Sequence, residues 1–382
     1  MYAHDTILAV ASPPGRARRG IVRLSGARTF DVLRERRKPT IALCMGPFGE
    51  MSRVLAPKFG GLLTFAAEAE DAPTAPGQLT IAELRRLRYD AISAATRVYG
   101  VIGWPVGHSR SPDVHNAGFE AVGHDGVYLP LPIPPEPEHL KATLGAFLDH
   151  AALDFAGASV TIPHKTNVLQ FVEARGGTID PLAARVGAAN TLVVRDGRLV
   201  CANTDVDAAI DALTAAMNVD RAALADQRAL VLGAGGVARA VVAGLADAGA
   251  VVAIAARRPD RAAALASDLD AGTGRVSAAE VSELAGERFD VIVNATPVGM
   301  TGGPAPGESP LPDGVTIDDG VTVLDTVYSP SRTPLLEDVA TRGARIVPGI
   351  EMFIRQAARQ FELWTGQTAP EPVFRRALLA TD

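Results

Sequence analysis

The run Ala229-Leu230-Val231-Leu232, followed by Gly233-Ala234-Gly235-Gly236-Val237-Ala238 and the helix-forming Arg239–Ala248, constrains this chain more than any other segment. It fits G-x-G-x-x-A between a strand and a helix, the context in which that pattern carries meaning. Gly233 permits the tight turn and Gly235 lets a pyrophosphate approach the backbone, while Ala238 keeps the helix close to the sheet. Ala234, Gly236 and Val237 complete the loop, and N–H groups at the helix start face the phosphates. The next strand ends Ile254-Ala255-Ala256-Arg257-Arg258-Pro259-Asp260-Arg261. An NAD site ends this strand with an acid on the ribose 2′-hydroxyl. Arg257, Arg258 and Arg261 stand there instead, and guanidinium groups suit a 2′-phosphate. The sequence predicts NADP.

Short apolar strands alternate with helices on both sides of this motif. Before it, strands are expected at Val98–Ile102, Val127–Leu131 and Phe155–Thr161, with helices at Pro112–Ala121 and Glu138–Leu148. After it come Val251–Ala255, Val291–Asn294 and Val321–Leu324, with alanine-rich helices between. Such alternation indicates an α/β fold with parallel sheets covered on both faces. Met352, Phe353, Gln356, Ala357, Gln360, Phe361 and Trp364 recur at helical spacing and predict a long amphipathic helix. With 382 residues and 47% hydrophobic content, the chain can build two or three domains.

Composition narrows the class. A net charge of −6 argues against a dedicated nucleic-acid binder. Only Cys44 and Cys201 are present, which excludes a disulfide scaffold and points to the cytoplasm. Met1–Asp5 lacks the start of a secretory signal. The apolar stretch Ala229–Ala256 is broken by glycines, Arg239 and Asp247, so a soluble protein is expected. Residues 1–38 carry nine Arg/Lys against Asp5, Asp31 and Glu35, which reads as a solvated or poorly ordered terminus. An RNA-touching arm is the alternative from another functional class, testable by its salt dependence.

Four polar clusters exceed what packing needs. Ser109 and Ser111 flank Arg110 just before a helix, able either to cap it or to face a polyhydroxylated or carboxylate ligand. Thr161 and Lys165 follow a buried strand, where ligands bind in open α/β sheets. Gly187-Ala188-Ala189-Asn190-Thr191 and Asn203-Thr204-Asp205 complete the set. Beside a dinucleotide motif they suggest ketone reduction: Lys165 protonates the developing alkoxide and Asp205 positions its ammonium.

Residues 98–382 resemble the shikimate dehydrogenase family. The resemblance rests on Gly103–Pro112, Val160–Lys165, Gly187–Thr191, Asn203–Asp205, Gly233–Arg239, Asn294–Met300, Tyr328-Ser329-Pro330 and Gly349–Ala357. It implies an α/β substrate domain over 99–205, a Rossmann NADP domain over 206–346 and C-terminal helices over 347–382 that return to the substrate domain. It further implies Ser109, Ser111, Thr161, Asn190, Asp205, Tyr328 and Gln356 as substrate-binding residues, with Lys165 and Asp205 catalytic. Gly349 and Met352 are implied beside the nicotinamide, Thr296 as a further cofactor residue, and Arg257, Arg258 and Arg261 as the phosphate clamp. The implied reaction is NADPH-dependent reduction of 3-dehydroshikimate to shikimate, on the route to chorismate and the aromatic amino acids, with no metal. A quinate/shikimate dehydrogenase is the near alternative. Two departures stand out: Ala256 replaces the Asn usual in the clamp, and Val206-Asp207-Ala208 lacks the usual Gly after Asp205.

Residues 39–98 resemble the C-terminal end of type I 3-dehydroquinate dehydratase, with Arg53, Thr74 and Gln78 on its substrate-binding positions. Expected here are strands Thr40–Cys44 and Leu62–Phe65 and helices near Met51–Leu55 and Ile81–Leu87. A remnant of two βα units cannot close a (β/α) barrel, which takes at least ~200 residues, so no dehydratase activity is expected. Residues 5–26 resemble the start of the tRNA-modifying GTPases, without any G-x-x-x-x-G-K-[ST] loop. Little chemistry is expected from residues 1–98, and the whole is expected to be a monomer or homodimer.

Overall fold

The computed structural model describes residues 7–10, 22–25, 54–59 and 81–380. Two compact units emerge, one of residues 1–158 and 376–382, the other of residues 159–375.

In the first unit, β1 (Ile7–Val10) pairs antiparallel with β2 (Val22–Ser25), Ile7 facing Ser25. The rest of the basic leader, residues 1–38, lies outside the described residues. Residues Ala56–Phe59 make a 3-10 turn and α1 covers Ile81–Arg86. The expected strands Thr40–Cys44 and Leu62–Phe65, most of the expected helix near Met51–Leu55, and Arg53, Thr74 and Gln78 lie outside the described residues. Strands β3 (Arg97–Gly103) and β4 (Gly126–Pro132) run parallel, joined through α2 (Ser111–Ala121). Gly100 is required in β3, since a Cβ there would lie 2.4 Å from Leu131. Helix α3 (Pro137–Asp149) follows, and β5 (Phe155–Val160) begins in this unit.

The second unit continues with α4 (Asn167–Ala174), β6 (Thr178–Ile179), α5 (Pro181–Val186) and the antiparallel pair β7 (Thr191–Arg195) and β8 (Arg198–Ala202). Cys201 is a buried free thiol on β8, and burial, then the Asp180 charge, push it up to about 12. Helix α6 (Asp205–Met217) runs unbroken through Val206-Asp207-Ala208, so the missing Gly leaves this backbone regular. Then come β9 (Arg228–Leu232), α7 (Gly236–Asp247), β10 (Val251–Ala255), α8 (Pro259–Leu269), β11 (Val276–Ala278), β12 (Val291–Asn294) and β13 (Thr322–Asp325). The chain closes with α9 (Pro334–Thr341), β14 (Arg345–Val347), α10 (Gly349–Thr365) and α11 (Glu371–Leu379).

Six of these strands form one sheet in the order β11-β10-β9-β12-β13-β14, parallel throughout. This is the doubly wound order whose direction reverses between β9 and β12, and the crevice at their C-terminal ends receives ligands. Apolar side chains on one face of the sheet, including Val231 and Val293, pack with α6 and α7. Leu230 and Ile292 on the other face join Leu335, Leu336 and Val339 of α9. Gly244 brings α7 against α6 closely, because a Cβ there would meet Ile210 at 2.7 Å. Among the described residues no helix is long and apolar enough to cross a membrane.

Candidate active site

The loop after β9 has the geometry its glycines predict. Gly233 adopts φ +115°, and a Cβ on it would lie 2.9 Å from the Ala295 carbonyl oxygen beyond β12. Ala234 follows, and Gly235 is the N-cap of α7, with open space where its Cβ would project. Helix α7 starts at Gly236, three residues earlier than Arg239, so the N–H groups of Gly236, Val237 and Ala238 belong to its first turn. Ala238 is fully buried against the sheet. Arg257 and Arg258, at the end of β10, and Arg261 in α8 are exposed. Open space before a helix start and three exposed guanidinium groups fit a dinucleotide bearing a 2′-phosphate.

Across the crevice, the Asn294 side chain accepts from the Thr296 N–H (2.9 Å) and Oγ1 (2.7 Å) and donates to Asp325 (2.8 Å). Thr296 is thus fixed at the end of β12. Burial pushes the Asp325 carboxyl up against the lowering effect of its bonds from Thr333, the Val327 N–H and Asn294.

Lys165, Asn190 and Asp205 converge in the second unit. Lys165 Nζ donates to Asp205 Oδ2 at 2.5 Å, with both side chains below a tenth exposed. Asn190 Nδ2 donates to Asp205 Oδ1 (2.8 Å) and Thr204 Oγ1 (2.9 Å). Asp205 sits in the first turn of α6. The Asn203 side chain accepts from the Asp205 N–H at 3.0 Å, so Asn203 serves the helix start and leaves the Asp205 side chain for Lys165. The Lys165 backbone is fixed as well, its carbonyl accepting the Ala189 N–H at 2.8 Å. Its aliphatic stem lies against the start of α7: a Cβ on Gly236 would be 2.9 Å from the lysine Cδ. Gly187 takes the left-handed cap of α5, and Arg239 of α7 donates to the Val186 carbonyl at 2.6 Å beside it. The lysine cluster and the glycine loop are therefore tied to one another by side chains of this unit.

The remaining expected residues are divided between the two units. Thr161 is half-buried at the end of β5. Gln356 on α10 donates to its own helix at Phe353 O (3.1 Å), while its carbonyl accepts from Thr204 Oγ1 at 3.2 Å. Tyr328 is half-buried, its ring 4.6 Å from that of Phe353. Gly349 opens α10 where a Cβ would come within 2.3 Å of the Val327 carbonyl oxygen, and Met352 is packed in the core beside α6 and α7. Ser109 and Ser111 belong to the first unit, both buried. Arg110 is the N-cap of α2 and makes no side-chain cap bond, while Ser109 Oγ accepts the N–H of Ser111, the first residue of that helix, at 3.3 Å.

One residue of the cluster escaped the sequence reading. Gln360 is 1% exposed; it donates to Asn190 O (2.9 Å) and Thr191 Oγ1 (3.0 Å) and accepts from Ser159 Oγ (2.6 Å). Its signal was a glutamine on the stripe of α10 that otherwise faces the core.

A doubly wound sheet with an arginine-flanked glycine loop, next to a buried lysine–carboxylate pair, defines the class of nucleotide-dependent oxidoreductases. The profile of the shikimate dehydrogenase substrate binding domain matches residues 101–192, that of shikimate/quinate 5-dehydrogenase 214–299, and that of the shikimate 5′-dehydrogenase C-terminal domain 349–379. The type I 3-dehydroquinase profile matches residues 27–93. The shikimate dehydrogenase (NADP(+)) of Paramagnetospirillum magneticum is 43% identical over 72% of this chain and 95% of its own length. The chloroplastic bifunctional 3-dehydroquinate dehydratase/shikimate dehydrogenase of Arabidopsis thaliana is 38% identical over 91% of this chain, which spans only 57% of that relative. A crystal structure of a shikimate dehydrogenase in complex with NADP+ superposes with TM-score 0.68 at 33% identity, covering 76% of this chain and 96% of that one. The chain belongs to the shikimate dehydrogenase family.

Proposed function

We propose that this chain reduces 3-dehydroshikimate to shikimate, reversibly, with Lys165 as proton donor. The observation that carries the reading is the buried Lys165–Asp205–Asn190 cluster abutting the start of the nucleotide-type helix. NADPH, when bound, supplies the hydride to the carbonyl carbon. The carbonyl π pair becomes an alkoxide lone pair, and Lys165 gives that oxygen a proton, leaving a neutral amine that regains one from solvent. Asp205 holds the ammonium towards the substrate before transfer. Asn190, pinned by Thr204 and Gln360, keeps the second carboxylate oxygen in place. Ser109, Ser111, Thr161, Tyr328 and Gln356 are the proposed substrate contacts. Gly233–Ala238, Thr296, Gly349, Met352 and the three arginines are the proposed cofactor residues. Two cysteines, one of them buried and free, suit a reducing cytoplasm.

The test is oxidation of shikimate and of quinate with NADP and with NAD. Shikimate with NADP is expected to give the highest kcat/KM. Replacing both Arg257 and Arg258 by Ala should raise the KM for NADP by roughly ten- to a hundredfold and leave that for NAD near its starting value. Equal use of NAD and NADP by the unaltered chain would contradict the clamp.

A further inference from the structure

We propose that Arg86 is a positioning residue for the Ser109–Ser111 loop, so that the dehydroquinase-like stretch is a working part of the shikimate site. This rests on the reading of those serines as substrate contacts. Arg86 ends α1, inside residues 27–93 that the dehydroquinase profile matches, and outside every shikimate dehydrogenase profile. Its guanidinium Nη2 donates to the Ser109 carbonyl at 2.9 Å and to Asp113 Oδ2 at 3.2 Å, and Nε donates to Asp113 Oδ1. Asp113 lies in the first turn of α2, directly after the serine pair, and also receives Arg110 Nε at 2.7 Å.

The fork thus grips the loop at both ends: its entry through the Ser109 carbonyl and its exit through Asp113. Because Ser109 Oγ accepts the Ser111 N–H, fixing the backbone of one serine fixes the other. Arg86 is itself held from behind. Its carbonyl accepts from Asn116 Nδ2 at 3.3 Å, and the next residue, Leu87, is 2% exposed. A planar fork with donors in fixed directions can serve a carbonyl and a carboxylate together; a lysine ammonium lacks that geometry.

A second tether of the same stretch gives the control. Lys58 Nζ donates to the carbonyls of Ala94 (3.0 Å) and Thr96 (2.6 Å) and touches nothing in the serine loop. The experiment compares the full chain with Arg86→Ala, Arg86→Lys and Lys58→Met, measuring KM for shikimate, KM for NADP, kcat and Tm. Arg86→Ala is expected to raise the shikimate KM about tenfold, with NADP KM and kcat changing by less than about twofold. Arg86→Lys should recover part of that loss, to about threefold above wild type. Lys58→Met should lower Tm while the shikimate KM stays within about twofold of wild type. An unchanged shikimate KM in Arg86→Ala, or an equal rise in Lys58→Met, would overturn the proposal while leaving the proposed function standing. A wild-type chain inactive on shikimate would overturn the underlying reading and this one with it.

Discussion

At the scale of single residues, the two glycines of the nucleotide loop separate folding from binding. Gly233 holds φ +115°, and a Cβ there would clash with the Ala295 carbonyl oxygen at 2.9 Å, so Gly233→Ala is expected to destabilise the protein outright. Gly235 has ordinary negative φ and nothing within 4 Å of its Cβ direction. Gly235→Ala should therefore melt within a few degrees of wild type, since losing an N-cap Gly to Ala costs on the order of 1 kcal/mol, while raising the NADP KM about tenfold or more. Thermal melts beside NADP titrations check this pair; normal NADP affinity in Gly235→Ala would contradict the assigned loop. The glycine spacing made this part of the site legible in sequence, because glycine is needed there for backbone reasons that few other positions share. Gln360 was not legible. A glutamine on an apolar helix stripe acquires meaning only when Asn190, Thr191 and Ser159, distant in sequence, are brought to it.

At the scale of elements, strand and helix positions from β3 onward followed from apolar runs and periodicity, with ends displaced by a residue or a few. The start of α7 is instructive: the helix begins at Gly236, three residues before Arg239, with Gly235 as an N-cap residue of a favoured type, although the glycines read as turn. The serine pair was ambiguous in sequence between cap and ligand contact, and in the fold Ser109 Oγ accepts the N–H of the first residue of α2. Between α10 and α11, Glu351 receives Arg375 (2.7 Å) and Arg355 (2.9 Å). The Arg375 bond, joined by that from Arg355 against a smaller burial effect, holds the Glu351 carboxyl below its usual 4.5. A lowered folded pKa contributes stability that is present above 4.5 and lost as pH falls through the lowered value. Arg375 is nearly half exposed, so solvent screens the pair, and Glu351→Gln should cost under ~1 kcal/mol at pH 7. Urea denaturation at pH 7 and at pH 3 should show that gap narrowing in acid; a gap that widens would assign the pair the wrong sign.

At the scale of the whole molecule, three of the side chains that the family resemblance implies, Lys165, Asn190 and Asp205, are joined by hydrogen bonds through Asp205. The leader told least. Of its residues, Ile7–Val10 and Val22–Ser25 pair as strands. Further along, residues of the dehydroquinase-like stretch are buried in the first unit, and its Lys58 and Arg86 bind carbonyls and a carboxylate of neighbouring loops, contacts that no charge count reveals. The proposed chemistry turns on Lys165. Its most direct test follows NADPH absorbance with 3-dehydroshikimate for the wild-type chain and Lys165→Met, with NADPH affinity measured in parallel. The expected result is turnover by the wild type and a fall in kcat of roughly 10²–10⁴ in the variant at unchanged NADPH affinity. Wild-type kcat in Lys165→Met, or no turnover by the wild type, would contradict it.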